Sequence, residues 1–202
     1  QATTFTAASA SASAVQSAIN SATDGDTVQV PSGSASWGNN AVTLTRGIRL
    51  KGAATWTSGT TTITLTGLDA LTIHGNGQYL EVSGFTFVDA AANEHSTSGP
   101  ITVDGLFRIC TNIFNNCNQT IIIHGTSASS SLIDNNTANI TGNSWLDIFG
   151  SDNTAWDFGT TFGTTNYCYI EHNGMTAAGI GDGVFDAYGG SKFVFRYNNI
   201  TN

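Results

Sequence analysis

One short pattern recurs along this chain: an apolar residue, two variable residues, an asparagine, a variable residue and a second apolar residue. Counting Phe85 as the first member of the asparagine position, successive members are 27, 24, 37 and 25 residues apart. Periods of roughly 20 to 50 residues are typical of solenoids, in which each repeat buries its apolar side against the next. The five occurrences are Val82/Phe85/Phe87, Ile109/Asn112/Phe114, Ile133/Asn136/Ala138, Ile170/Asn173/Met175 and Phe195/Asn198/Ile200.

The recurring asparagine suits a stack of coils in two ways. Asn tolerates the left-handed backbone conformation, which a chain needs where it bends from one sheet into another. Its amide can also hydrogen-bond to an identical amide one coil away, as in other stacked β-structures. We therefore predict a ladder of stacked, left-handed asparagines at the bends, formed by Asn112, Asn136, Asn173 and Asn198.

Short runs of alternating side chains fill the chain after residue 23, and Gly, Asn or Asp interrupts nearly all of them. Thr61 to Leu65, Leu80 to Phe87 and Phe193 to Phe195 are examples. Alternation with a period of two predicts strands. No apolar stripe of helical spacing and useful length occurs in this region, so the sequence excludes a doubly wound α/β sheet.

The first segment has helical spacing instead. An apolar stripe at i, i+3, i+4 and i+7 predicts an amphipathic helix over residues 11–24, with Ser11 or Ser13 as its N-cap and Gly25 after its end. Such a helix shields the open edge and the apolar interior of a first coil. The stripe consists of Val15, Ala18, Ile19 and Ala22.

Charge is scarce. Charged residues make up 10% of the chain, against a typical value of about 25%, and the net charge is −8. The six basic residues form no run, so we expect no binding of nucleic acid through its phosphates. No apolar run approaches the ~20 residues of a membrane helix, so we expect no membrane insertion. The basic residues are Arg46, Arg49, Lys51, Arg108, Lys192 and Arg196.

The beginning of the chain and its cysteines bear on the compartment. The chain starts at Gln1 without a Met or an apolar leader, which we interpret as a mature secreted chain or a trimmed piece of one. Cys110, Cys117 and Cys168 form an odd set. Three buried thiols and a Cys110–Cys117 disulfide are both compatible with it, so cysteine does not decide the compartment.

Four stretches resemble the pectate-lyase-like superfamily: AVQSAIN (14–20) and GDTVQVPSG (25–33) as its N-terminal cap and first coil, IRLKG (48–52), and YGGSKFVFRYN (188–198) as a later coil. The resemblance implies an all-β fold, a right-handed parallel β-helix with a short N-terminal capping helix, as one domain over residues 1–202. It also implies a location that is extracellular, at the cell surface or on a virion surface. It does not imply one activity, because the superfamily includes lyases, glycosidases, tailspikes and non-catalytic fibres. The catalytic motifs of its enzymes are largely absent here.

An outward column of side chains is the first candidate site. The residue after each leading apolar position should point outward, and coils stack ~4.8 Å apart. Asp134 is then expected beside Glu171, and Glu171 beside Arg196. Carboxylates about 5 Å apart are typical of retaining glycosidases, and carboxylates about 6.5–9.5 Å apart of inverting ones. A cation such as calcium can also lie between the two carboxylates. An ordinary Glu171–Arg196 surface ion pair is the alternative. The column reads Ser83, Cys110, Asp134, Glu171 and Arg196.

The 37-residue interval predicts an inserted loop over residues 138–166. Trp145, Trp156 and Asp157 in this loop suggest a sugar-binding platform, because flat aromatic faces stack on sugar rings and acids bond hydroxyl groups. Packing of both tryptophans onto the coils is the alternative. His172, next to Glu171, is a further candidate for substrate binding.

Asp182, Asp186 and Tyr188 form a third cluster, in a glycine-rich segment. Two residues four apart on a strand are ~13 Å apart, too far for carboxylates that act on one bond. Asp182, between two glycines, is expected in a turn. Asp186 is therefore the candidate catalytic residue of this cluster, and Tyr188 a candidate for substrate binding.

Taken together, these patterns predict a β-helix outside the cytoplasm that binds polysaccharide, with cleavage by a lyase or a glycoside hydrolase left open. Asp134, Glu171, Asp186 and Arg196 are the catalytic candidates, and calcium at Asp134 and Glu171 is the candidate cofactor. The alternative is a non-catalytic fibre, spike or filament subunit, because no capping element follows the last repeat and a second copy could stack there. An ice- or mineral-binding surface would need a flat threonine array, which the sequence shows on one coil, residues 60–66.

Overall fold

The computed structural model describes residues 1–53, 60–91, 98–124, 130–150, 167–177 and 183–202, and of Asn76 the backbone alone. This part of the chain is mostly β-structure, and it contains one helix, α1 (Ala12–Ser21). None of it forms a helix with the length and apolar character needed to span a bilayer. The strands are β1 (Thr4–Thr6), β2 (Thr27–Gln29), β3 (Gly33–Trp37), β4 (Val42–Leu44), β5 (Arg49–Lys51), β6 (Thr61–Leu65), β7 (Leu71–Ser83), β8 (Phe85–Asp89), β9 (Ile101–Cys110), β10 (Ile113–Cys117), β11 (Ile121–His124), β12 (Leu132–Asp134), β13 (Thr137–Ile140), β14 (Leu146–Phe149), β15 (Cys168–Glu171), β16 (Gly174–Ala177), β17 (Phe185–Tyr188), β18 (Phe193–Arg196) and β19 (Asn199–Thr201).

Helix α1 lies where the sequence predicts a helix. Ser11 is its N-cap, and the Ser11 side chain accepts a hydrogen bond from the helical backbone. Val15 and Ile19 are buried against β1 to β4. At the other end the Arg46 guanidinium donates to the carbonyl of Ala22 at 2.5 Å, which satisfies a carbonyl that the helix leaves without an internal partner. The helix therefore covers the first strands and is attached to the next ones.

All strand pairs in the described residues are parallel, and most link a strand to its counterpart one repeat later. Seven strands form one sheet, in the order β3-β6-β8-β10-β13-β16-β19, and the other twelve form a second, branched sheet. The branches meet at β7 and β9, where Gly75 pairs with Gly105. A Cβ on Gly75 would lie 2.5 Å from the backbone nitrogen of Leu106, and Gly105 has a φ of 80°. Glycine therefore permits the close approach and the bend at this point.

Three outward surfaces result, and we name them by their chemistry. The charged face consists of the outward side chains of residues 49–51, 81–83, 108–110, 132–134, 169–171 and 194–196. The aspartate face consists of those of residues 42–44, 71–74, 101–104, 121–124, 146–149 and 185–188. The neutral face is the outer side of the seven-stranded sheet.

The inward side chains of the three surfaces form one apolar core. Neighbouring rings of Phe85, Phe87, Phe114 and Trp145 pack in a row, with centroids 5.3, 5.4 and 5.5 Å apart. Ile133 and Ile170 are fully buried beneath the charged face. Burying such a side chain contributes about 1.5–3 kcal/mol. Each repeat supplies only a few of them, so stability depends on the stacking of one repeat on the next.

The predicted asparagine ladder is present. The side-chain amide of Asn112 donates to Oδ1 of Asn136 at 3.2 Å, Asn136 donates to Asn173 at 3.0 Å, and Asn173 donates to Asn198 at 3.0 Å. Each of these Oδ1 atoms also accepts a hydrogen bond from the backbone N–H of the preceding ladder residue. The backbone N–H of Phe85 donates to Asn112, so Phe85 occupies the first place of the series as predicted.

The prediction that the ladder asparagines themselves are left-handed is wrong. The positive φ angles belong to the residue before each of them: 54° at Thr111, 55° at Asn135, 57° at His172 and 56° at Tyr197. Gly84, before Phe85, has a φ of 77°. The bend therefore precedes the ladder residue, whose amide is then free to point along the stack. Thr111, Asn135, His172 and Tyr197 are exposed, while Asn112, Asn136 and Asn173 are buried.

The three cysteines form no disulfide. Cys110, Cys117 and Cys168 are separate buried thiols, and burial raises the pKa of Cys117 and of Cys168 to about 12.

In the predicted inserted loop, residues 138–150 include most of β13 and all of β14, which pair within the two sheets. This part of the loop is therefore regular sheet, and residues 151–166 lie outside the described part of the chain.

Candidate functional site

The register of the strands confirms the predicted outward column on the charged face. Cys110 pairs with both Ser83 and Asp134, Asp134 pairs with Glu171, and Glu171 pairs with Arg196. The position after each buried apolar residue faces outward, as the alternation of a strand requires. The column is thus correct in membership and in order.

Asp134 is not available for catalysis in this column, because Arg108 holds it. The guanidinium Nε donates to Oδ1 at 2.8 Å and Nη2 donates to Oδ2 at 2.7 Å. The Asn135 amide donates to Oδ2 as well, at 2.6 Å, and Asp134 is only 4% exposed. The hydrogen bond with Asp134 raises the pKa of Arg108. Sequence reasoning missed Arg108, although it lies two residues before Cys110 and therefore faces outward too.

Glu171 and Arg196 form the ion pair that was the alternative to a catalytic role. Arg196 Nε donates to Oε2 of Glu171 at 2.6 Å, and this bond is the main cause that raises the pKa of Arg196. Each carboxylate of the predicted pair thus has its own arginine. A calcium ion bound by Asp134 and Glu171 would have to displace both guanidinium groups, so these residues do not fit a calcium site.

The basic residues are more clustered than the sequence indicates. Four of the six lie on the charged face, namely Arg49, Lys51, Arg108 and Arg196. They alternate with three acids, Glu81, Asp134 and Glu171, so the face carries a net charge of +1 in a chain of net charge −8. Lys51 Nζ lies 3.8 Å from Glu81, and Arg49 is exposed.

Aromatic rings surround Arg196. Its guanidinium carbon lies 5.2 Å from the ring centre of Tyr169 and 5.3 Å from that of Tyr197. The Tyr197 ring stacks on His172, with centroids 5.2 Å apart and planes inclined by 17°. His172 and Tyr197 stack because both occupy the left-handed position before a ladder asparagine, which turns them outward one above the other. We call Glu171, His172, Arg196 and Tyr197 with Tyr169 the tyrosine cluster.

The aspartate face holds a second carboxylate pair. Asp186 pairs in register with Asp147, which sequence reasoning did not select, and Asp182 lies outside the described residues. Asp147 is fully buried and accepts a hydrogen bond from the Gln119 amide at 2.8 Å. Burial, and to a lesser extent the charge of Asp186, raises the pKa of Asp147. A buried carboxyl group of this kind has no access to a polymer at the surface.

Tyr188 and His124 extend this face with aromatic side chains. Tyr188 is 44% exposed, stacks on Phe149 with centroids 4.8 Å apart, and donates from its hydroxyl to Asp186 at 3.3 Å. His124 lies 6.2 Å from Phe149 on the other side. Because the rings of His124, Phe149 and Tyr188 stack face to face, they present mainly their edges to solvent.

The predicted tryptophan platform is wrong for Trp145. Its side chain is fully buried and packs against Phe114, and its Nε1 has no hydrogen-bond partner among the residues that the structure describes. Trp145 ends the row of core rings that begins at Phe85, so it offers no face to a sugar. Trp156 and Asp157 lie outside the described residues.

The neutral face differs from the other two because none of the fourteen residues in its two outward columns is charged. Hydroxyl groups are more widespread here than residues 60–66 alone indicate. One irregularity, between β10 and β13, interrupts the second of its two columns. The columns are Ser34, Thr62, Thr86, Ile113, Thr137, Gly174 and Asn199, and Ser36, Thr64, Val88, Asn115, Asn139, Thr176 and Thr201.

Nothing outside the chain supplies a function for these surfaces. No family model, no curated protein and no solved structure matches it. The resemblance to pectate-lyase-like proteins therefore depends on the sequence motifs alone.

Proposed function

We propose that this chain is a right-handed parallel β-helix of the pectate-lyase-like group, and that it binds polysaccharide through the tyrosine cluster. Parallel pairing, one strand per repeat in each surface, and the asparagine ladder all support a β-helix. A polysaccharide ligand is consistent with a location outside the cytoplasm, at a cell or virion surface.

The observation that carries the proposal is the position of Tyr197. This residue is 70% exposed and has a φ of 56°, a conformation that an ordinary residue adopts at a cost of roughly 1–2 kcal/mol. The bend requires a left-handed backbone here but not an aromatic ring, and the ring of Tyr197 contacts two side chains that are themselves exposed, His172 and Arg196. Residues in strained backbone conformations concentrate at ligand-binding sites.

The neighbours of Tyr197 supply the polar contacts that a sugar needs. Arg196 uses its Nε on Glu171, and the described part of the structure gives its two Nη groups no partner, so both can donate to sugar hydroxyl or carboxylate groups. An aromatic ring beside such donors is the usual composition of a binding site with few, well-placed polar groups.

The proposed activity is binding and not cleavage. Asp134 and Glu171 are engaged by arginines, and Asp147 is buried, so each is occupied by a structural role. A glycosidase needs two carboxyl groups that reach the same glycosidic bond.

Affinity electrophoresis on neutral and uronic polysaccharides, with and without calcium, tests the proposal. We expect at least one polymer to retard the wild type, and Tyr197→Ala to lose this retardation. Tyr188→Ala, which removes an exposed tyrosine from the aspartate face, should be retarded as much as the wild type. Retardation that survives Tyr197→Ala but not Tyr188→Ala would move the site to the aspartate face. Release of reducing ends or unsaturated products would show that the protein cleaves its ligand.

A second candidate function is favoured by the neutral face. Uncharged hydroxyl and methyl groups repeated every ~4.8 Å over seven strands can order a layer of water, which suits binding to ice. Thr86 and Thr137 lie in one column of this face. Thermal hysteresis in the wild type, absent in Thr86→Lys, would support this candidate, and no hysteresis in either protein would exclude it.

A further inference from the structure

Three potential metal ligands lie in one outward column of the aspartate face. His74 pairs in register with Asp104, and Asp104 pairs with His124, so the carboxylate lies between two imidazoles on consecutive strands. His74 Nδ1 and Asp104 Oδ2 are 2.6 Å apart, and both side chains are partly exposed. His124 is exposed. The sequence places His74 and His124 in matching Ile-His-Gly contexts but does not reveal the acid between them.

The spacing allows all three side chains to reach one ion. Neighbouring strands are ~4.8 Å apart, so the two histidine Cα atoms are about 10 Å apart with Asp104 midway. An imidazole on each side can therefore tilt inward over the carboxylate. Zn²⁺ bonds of ~2.0–2.1 Å place two ligand atoms of a tetrahedral site roughly 3.3 Å apart. His74 Nδ1 and Asp104 Oδ2 therefore need to move apart by less than 1 Å for a zinc ion to fit between them.

One ligand has to move. As they stand, no three His, Cys, Asp or Glu side chains of the described residues are arranged to hold a metal ion. The His124 ring is turned toward Phe149, at a centroid distance of 6.2 Å, near the upper limit of an aromatic contact. Aromatic pairs at this distance are weak, so rotation of His124 toward Asp104 costs little beside two or three metal–ligand bonds.

We propose that His74, Asp104 and His124 bind a divalent transition metal ion of borderline softness, such as Zn²⁺, with water in the fourth position. Two imidazole nitrogens and one carboxylate oxygen are a ligand set that suits zinc, copper or nickel and does not suit calcium or magnesium. The site lies on a different face from the tyrosine cluster, so it does not depend on the proposed polysaccharide binding.

Isothermal titration of the metal-free protein with ZnCl₂ tests the proposal, and the visible absorption of added Co²⁺ reports a low-symmetry nitrogen and oxygen site. We expect one ion per chain, and at least a tenfold loss of affinity in each of His74→Ala, Asp104→Asn and His124→Ala. His172→Ala is the control, because it removes an exposed histidine from another face.

Phe149→Ala supplies a second, opposite test. Removing the stacking partner frees the His124 ring, so we expect tighter Zn²⁺ binding than in the wild type. Circular dichroism of every variant verifies the fold. The proposal is overturned if the wild type binds Zn²⁺ no better than His74→Ala/His124→Ala, or if His172→Ala loses as much affinity as the column variants.

Discussion

The guanidinium of Arg108 donates to both carboxylate oxygens of Asp134, at 2.8 and 2.7 Å, across two neighbouring strands of the charged face. This contact turns the central acid of the predicted catalytic column into a structural group. It also separates the charge of Asp134 from that of Glu171, which has Arg196 as its own partner. Each of the two carboxylates on these adjacent strands therefore has an arginine of its own as counter-charge.

We expect Arg108→Ala to lower the free energy of unfolding by about 2–3 kcal/mol, because it leaves the nearly buried carboxylate of Asp134 without its cation. The value is below that of a fully buried pair, since Arg108 is one-third exposed. Urea unfolding at neutral pH measures it. Arg108→Ala/Asp134→Ala should lose less than the two single variants add up to, and strict additivity would contradict the coupling.

Asn136→Ala should destabilise the chain by roughly 3–4 kcal/mol. The side chain donates to Asn173 and to the carbonyl of Ile109 and accepts from Asn112, and net values of ~1 kcal/mol per bond add to the cost of unpaired buried partners. Asn198→Ala, at the partly exposed end of the ladder, should cost clearly less. Equal losses in urea unfolding would show that burial does not set the strength of the ladder.

Thr111→Gly should raise the free energy of unfolding by about 0.5–1 kcal/mol. Thr111 is a β-branched residue with a φ of 54°, and glycine adopts this conformation without strain. Thr137→Gly is the matched control, because Thr137 is an exposed threonine within a regular strand, where glycine lowers stability. Thermal unfolding of both variants compares the two signs, and a loss of stability in Thr111→Gly would contradict the assignment of strain.

Asp147 makes stability depend on pH. Burial raises its pKa in the folded chain above the ordinary value of 3.8, so the folded state binds the proton more tightly than the unfolded state. The contribution of this group to stability is complete below pH 3.8 and is lost as the pH rises through the folded pKa. We therefore expect Asp147→Asn to gain stability relative to the wild type between pH 3.5 and pH 7. A stability difference that does not change with pH, in urea unfolding across this range, would remove Asp147 as its source.

The sequence predicted the asparagines of the ladder but not the left-handed residues that precede them. Asn112, Asn136, Asn173 and Asn198 could be found because one side-chain type recurs at one place in the repeat, and only stacking explains such a recurrence. The left-handed residues before them could not be found, because Thr111, Asn135, His172 and Tyr197 share a backbone angle and no chemistry. Their common feature exists only in three dimensions.

The column from Ser83 to Arg196 was predictable because strand alternation and a single alignment place each residue beside the next. The partners that decide its chemistry were not. Arg108 reaches Asp134 diagonally, between different columns, and Asp147 meets Asp186 across 39 positions of sequence with no shared motif. Such contacts depend on the direction of side chains and on the exact register of strands.

By itself, the sequence determined the parallel stacking of repeats, the capping helix, the buried apolar columns and the order of the outward column, because these follow from periodicity and from the exclusion of water from apolar surface. The tertiary structure alone decided which acids pair with arginines and that Trp145 belongs to the core. It also decided that Tyr197 is exposed and has a left-handed backbone conformation. The physical reason is that charge pairing, burial and strain depend on distances between residues far apart in the chain.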